Sequence, residues 1–66
     1  MHIEILIKEE REKKGMTLSK LSKKSGVSAA HLIDIEKNFK SPSLLVMVKI
    51  AKALDVEITK LYKVQW

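Results

Sequence analysis

The sequence contains no cysteine, so neither a disulfide framework nor a thiolate metal site is available to brace it. Gly15 and Gly26 are its only glycines, and no glycine-rich phosphate loop can be built from two. One Trp, one Tyr and one Phe supply little aromatic bulk, which leaves the core to aliphatic side chains. The longest unbroken apolar run, Leu44–Val48, is far short of the roughly 20 residues that span a bilayer. The N-terminus has no basic region followed by an apolar stretch, so no signal peptide is expected and a soluble, cytoplasmic protein is. Sixty-six residues read as one domain over 1–66, near the lower limit for folding alone. A monomer is expected to hold roughly a few kcal/mol of stability, to which a dimer would add.

Catalysis finds little support. His2 and His31 stand far apart with no H-x-x-x-H spacing, so no zinc site is expected. Glu9, Glu10 and Glu12 read as a solvated acidic helix face rather than an acid/base pair, and a small helical domain offers no deep pocket. No enzymatic activity, cofactor or small-molecule ligand is expected.

What the chain does have is positive charge in blocks. The net charge is +5. Residues 1–12 carry four acids, Glu4, Glu9, Glu10 and Glu12, against Lys8 and Arg11. Residues 13–24 carry five lysines and no acid, and residues 37–54 carry Lys37, Lys40, Lys49 and Lys52, again with none. Such blocks suit a phosphate backbone, and they equally suit simple solubility.

Met16–Glu36 organises the rest. Leu18 and Leu21 mark one buried face; Val27, Leu32 and Ile35 mark another, and Gly26 stands between them. Glycine admits positive φ, and Ser28 can then cap a new helix, which is the layout of a helix-turn-helix. Thr17 caps the first of the pair, roughly Leu18–Lys24, and the second runs to about Lys37. Free backbone N–H groups at the mouth of the first can bind a phosphate oxygen.

Upstream, Ile3, Leu6, Ile7 and Arg11 share a helical face over residues 3–14, closed by Gly15. Met1–Ile5 also alternates, so a short strand is open there. Downstream, Ser43 caps a helix with the stripe Leu44, Met47, Ala51 and Leu54, and a last short helix is expected over Ile58–Tyr62. Tyr62–Trp66 alternates too; it either pairs with Met1–Ile5 as a small antiparallel ribbon or frays. The expected class is all-α, a five-helix bundle with that ribbon as an open addition.

The stretches REKKGMTLSKLSKKSGVS, IEKNFKSPS and KIAKALDVEITKL, in this order and spacing, resemble the phage repressor and Cro-type (XRE) helix-turn-helix family. The resemblance covers about Ile3 to Tyr62. It implies a sequence-specific transcriptional regulator, expected to act as a dimeric repressor, with double-stranded DNA as partner. The helix entered at Ser28 would lie in the major groove while its predecessor crosses the backbone. It also implies that Arg11 and Glu36 clasp the first and third helices, a pairing that suits a bidentate guanidinium fork.

The contact positions implied are Thr17, Leu18, Ser28, Ala29, Ala30, Ile33, Asp34, Lys37, Asn38 and Lys40. Several depart from the family. Leu18 stands where glutamine usually reaches phosphate, and Ala29, Ala30, Ile33 and Asp34 stand where polar base readers are common. Asp34 can accept from cytosine N4, and the apolar three can meet thymine methyls. Asn38 replaces a frequent glycine and tolerates the same left-handed geometry. Glu10 occupies a common leucine position. Leu45, Val46, Val48, Tyr62, Val64 and Trp66 form either a self-association patch or part of a small core.

Overall fold

The computed structural model describes all residues from Met1 to Trp66. Strand β1 (His2–Ile5) leads into α1 (Ile7–Lys13), α2 (Leu18–Ser25), α3 (Ala29–Glu36) and α4 (Leu44–Leu54). A single 3₁₀ turn, Ile58–Lys60, precedes strand β2 (Tyr62–Gln65).

Local chemistry sets the helix boundaries. Thr17, Ser28 and Ser43 each sit in extended backbone, and each hydroxyl accepts from the N–H three residues on. Such a cap contributes about 1 kcal/mol. Three helices end alike. Gly15, Asn38 and Asp55 take φ of 63°, 62° and 56°, turning the chain left-handed after α1, α3 and α4. In each case the next residue's N–H reaches back to a carbonyl of the helix: Met16 to Arg11, Phe39 to Asp34, Val56 to Ala51.

The core is aliphatic. Ile7, Leu21, Leu32, Ile35, Ile50, Leu54 and Leu61 are almost wholly buried, and Val27, Met47 and Ala51 complete the cluster. Burying a side chain of this kind is worth about 1.5–3 kcal/mol, so these few residues supply most of the cohesion. Helix α2 packs against both α4 and α3.

The five-helix expectation is corrected to four helices. Ile58–Tyr62 gives only one 3₁₀ turn, because Leu61 is fully buried and Tyr62 already belongs to a strand. The termini form the antiparallel ribbon, with His2 opposite Gln65, Ile3 opposite Val64, Glu4 opposite Lys63 and Ile5 opposite Tyr62. The class is therefore predominantly helical with a two-stranded sheet, not all-α. The Leu6 N–H donates to the Leu61 carbonyl at 2.8 Å and fastens the ribbon's base to the bundle.

The ribbon also shortens the first helix. Ile3 is a strand residue and half exposed, and α1 begins at Ile7. On α4 the inward stripe is Met47, Ile50, Ala51 and Leu54; Leu44 points outward at 74% exposure. Glu10, at the common leucine position, is buried, with its carboxylate accepting from Lys13 Nζ at 3.0 Å. No helix is long and apolar enough to cross a membrane.

Candidate nucleic-acid interface

The pair α2–α3 is held in place from below. Arg11 on α1 donates from Nε to Glu36 Oε2 at 2.9 Å and from Nη2 to Oε1 at 3.1 Å, a two-pronged bridge to the last residue of α3. Its remaining Nη1 donates to the Met16 carbonyl at 2.9 Å, which ties the α1–α2 link to the same guanidinium. Only 13% of the Arg11 side chain and 7% of the Glu36 side chain remain exposed. The hydrogen bond to Glu36 raises the Arg11 pKa above its ordinary value; desolvation opposes this and loses. Met16's carbonyl had no signature in the sequence, because any residue offers the same acceptor.

The turn between α2 and α3 is braced by side chains. The Ser22 hydroxyl donates to the Val27 carbonyl at 2.7 Å, and the Val27 N–H donates to Ser25 Oγ at 3.1 Å. Gly26 takes φ 76°, and a Cβ there would meet nothing within 4 Å. Its requirement is thus conformational rather than steric. Val27 is buried beneath the turn, so α3 leaves at a fixed angle.

The outer surface differs along its length. At the mouth of α2, Thr17 is exposed and its Oγ1 accepts from the Lys20 N–H at 3.1 Å. Leu18 turns its side chain onto the core, so this position offers only its backbone N–H to the outside. At the mouth of α3, Ser28 Oγ is engaged by the His31 N–H at 3.1 Å, while Ala29 and Ala30 are exposed. Ile33 is 40% exposed, beside the exposed Ala29 and Ala30. Asp34 is half-buried, with Lys40 Nζ 3.9 Å from its Oδ2. That lysine offsets the carboxylate's repulsion of an approaching anion. Lys37, Asn38 and Lys40 are all exposed in or beside the following loop.

Of the positions named from the sequence, Ser28, Ala29, Ala30, Ile33, Asp34, Lys37, Asn38 and Lys40 therefore belong to α3 and its exit loop. Thr17 and Leu18 lie at the start of α2, one helix away. The apolar set divides: Leu45, Val48 and Trp66 are exposed at 64, 48 and 94%, whereas Val46 and Tyr62 pack against the core and Val64 is half-buried. Phe39, not among the named positions, is 74% exposed in the exit loop. Its signal was an aromatic residue between two lysines in a chain with almost no aromatics.

The model of the helix-turn-helix family matches residues 7–61, from the first residue of α1 to the buried Leu61. The chain belongs to the XRE-type helix-turn-helix family. It is similar to the HTH-type transcriptional regulator SinR of Bacillus subtilis, 40% identical over 53 residues, covering 79% of this chain and 48% of SinR. Thus the chain spans about half the length of that curated relative. Among solved structures, the restriction-modification controller protein C.AhdI from Aeromonas hydrophila superposes with a TM-score of 0.79 at 30% identity, covering 82% of each chain. The N-terminal DNA binding domain of SinR gives 0.75 at 39% identity, covering 80% of this chain and 78% of that one. The family match starts after β1 and stops before β2, so the ribbon lies outside the shared region.

Proposed function

We propose that the protein is a sequence-specific, double-stranded DNA-binding transcriptional regulator, acting as a dimeric repressor that occupies its operator with α3 in the major groove. The observation that carries this reading is the open outer face of α3, with Lys37 and Lys40 at its exit and its inner face locked by the Arg11–Glu36 bridge. A rigid, solvent-facing helix beside exposed cations is what groove insertion needs. The names of the relatives, a transcriptional regulator and its DNA binding domain, support the same conclusion.

In this reading the backbone N–H groups behind Thr17 and the ammonium groups of Lys37 and Lys40 hold phosphates, while Asn38 shapes the loop that carries them. Ser28, Ala29, Ala30, Ile33 and Asp34 face the bases. With three apolar readers among five, thymine methyls and groove shape are read more than hydrogen-bond patterns, which favours A·T-rich sites. Such a regulator works in the cytoplasm beside the chromosome.

Self-association rests on the outward apolar residues Leu44, Leu45 and Val48 of α4. Leu44 borders an open groove of about 680 Å³ between α4 and the ribbon, with Ile3, Ile5 and Tyr62 in its wall. A second copy there would bury surface that water otherwise covers. A two-fold dimer would space its two α3 helices about 34 Å apart, one turn of the duplex.

Titrating the chain against matched and scrambled duplexes over a range of salt tests the reading. Roughly a thousandfold preference for the matched duplex is expected, with affinity falling linearly in log–log form as salt rises. Equal affinity at every salt concentration would reject specific readout. A second reading, that the fold serves as a protein-interaction module, draws on the apolar exposure of Ala29, Ala30 and Ile33. The charge reversal Lys37→Glu separates the two, since it leaves DNA affinity untouched only if α3 does not approach phosphate.

A further inference from the structure

Phe39 is placed by the way α3 ends. Asn38 turns left-handed, its N–H donates to the Ile35 carbonyl at 3.1 Å, and the Phe39 N–H donates to the Asp34 carbonyl at 2.8 Å. In a helix ending of this kind the residue at Phe39's position is commonly apolar and rests on a side chain five or six residues earlier, here Asp34 or the partly exposed Ile33. The end of α4 follows that pattern, with Val56 packed against the core over Ala51. At α3 the nearer of the two is Asp34, whose carboxylate faces Lys40. The phenyl ring is not covered by either and stays 74% exposed.

Its surroundings narrow what could cover it. The groove beside the ribbon is lined by Asn38 and Lys40, on either side of Phe39, but not by Phe39 itself. The ring therefore lies outside that groove. Exposed Lys37 and Lys40 flank it, and the two acids nearby are both engaged, Glu36 by Arg11 and Asp34 by Lys40. A positive rim around an apolar ring fits an anionic partner that also presents apolar groups. The major groove of a duplex is such a surface, because its one apolar substituent is the 5-methyl of thymine.

We propose that Phe39 is an apolar contact to thymine methyl groups at the end of the site read by α3, extending the apolar row of Ala29, Ala30 and Ile33 into the exit loop. This rests on the DNA-binding reading above. The ring is held ready by the backbone, since Asn38 and two hydrogen bonds fix the loop without any glycine. Little ordering cost then falls on binding.

The test is a four-way comparison. A duplex is selected from a random pool with the unaltered protein, then remade with deoxyuridine in place of thymidine, which removes only the methyl groups. The unaltered chain and Phe39→Ala are measured on both. Because the ring is exposed, Phe39→Ala should keep the melting midpoint. It should bind the selected thymine duplex about tenfold more weakly, with no change in the salt dependence because no charge is lost. Removing the methyls should weaken the unaltered chain about fourfold more, per methyl covered, than it weakens Phe39→Ala. Phe39→Lys should steepen the salt dependence without restoring the thymine preference.

Equal penalties for methyl removal in the two proteins would overturn the proposal, as would a Phe39→Ala variant that binds like the unaltered chain. A variant that loses self-association but not DNA affinity would overturn it too, assigning the ring to a protein contact. In all three cases the DNA-binding reading stands, provided the unaltered chain still prefers the selected duplex to a scrambled one. If it shows no such preference, that reading fails together with this one.

Discussion

Helices α2 and α3 are each eight residues long, and each opens at a hydroxyl that accepts from the N–H three residues on, at 3.1 Å in both cases. Each also carries a leucine with no exposed surface, Leu21 and Leu32, seated in the same aliphatic cluster. Their outer faces differ. On α2 the exposed residues are Ser19, Lys20, Lys23 and Lys24, with two lysines in the last turn, where they complement the helix dipole. On α3 they are Ala29, Ala30 and Ile33, and no base stands in its last turn. The same scaffold rules are obeyed twice, while the two surfaces are composed for different surroundings. One face is suited to water and its counterions; the other leaves apolar atoms uncovered beside two cations.

Substitutions can test both the equivalence and the difference. The largest effect is expected from Leu21→Ala and Leu32→Ala, each costing about 3 kcal/mol through lost burial and the cavity left behind. In so small a domain either should shift the urea midpoint close to zero, and a marked inequality between them would break the structural equivalence of the two helices.

Next comes Glu36→Gln, which leaves the largely buried Arg11 guanidinium without a carboxylate. A loss of about 2 kcal/mol is expected by chemical denaturation, since the Met16 carbonyl still accepts one of its bonds. No counterpart exists on α2, so this loss measures what α3 alone requires for its fixed position. The sign of its pH dependence follows from the raised Arg11 pKa. That contribution is fully present below the ordinary arginine value and is lost only as pH climbs past the higher folded value. No change from this proton is therefore expected across neutral pH.

Removing the caps should be gentler and symmetric. Thr17→Ala and Ser28→Ala are each expected to lower stability by about 1 kcal/mol, read from thermal melts corrected to a common temperature. The smallest stability effects should come from the lysines. Lys24→Ala and Lys37→Ala should each stay within about 0.5 kcal/mol of the unaltered chain. Their binding should separate them: Lys37→Ala lowers the salt slope on DNA by about 0.9, the worth of one phosphate contact, and Lys24→Ala leaves it unchanged. Identical slopes would mean that the lysine blocks serve solubility alone.

Much of the scaffold was legible in the chain, for reasons particular to its residues. Thr17, Ser28 and Ser43 announce helix starts because a short hydroxyl side chain reaches the otherwise unpaired N–H three residues on. Gly15 and Gly26 announce turns because few other residues adopt positive φ cheaply. Asp55 gave no such announcement, since aspartate enters the left-handed region less often than glycine, and its φ of 56° is fixed by the hydrogen bonds that close α4. Leu44 was misplaced on the inward stripe of α4 because its apolarity says nothing about rotation; Ile50 occupies the inside instead.

The terminal ribbon marks the boundary between the two kinds of information. Alternation at both ends of the chain allowed a strand and allowed fraying, and nothing within either stretch could choose. Pairing joins residues at opposite ends of the chain, such as His2 with Gln65, and it requires that the bundle first bring the two ends together. The same pairing ended the expected fifth helix at a 3₁₀ turn and moved the start of α1 to Ile7. By itself, the sequence determined the caps, the turn at Gly26, the aliphatic core of α2 and α3, and the family to which the chain belongs. The resemblance also anticipated the Arg11–Glu36 bridge. Tertiary structure alone decided the ribbon, the Met16 anchor of that bridge, and the exposure of Phe39. Each of these depends on where distant parts of the chain come to rest, and local propensity carries no record of that.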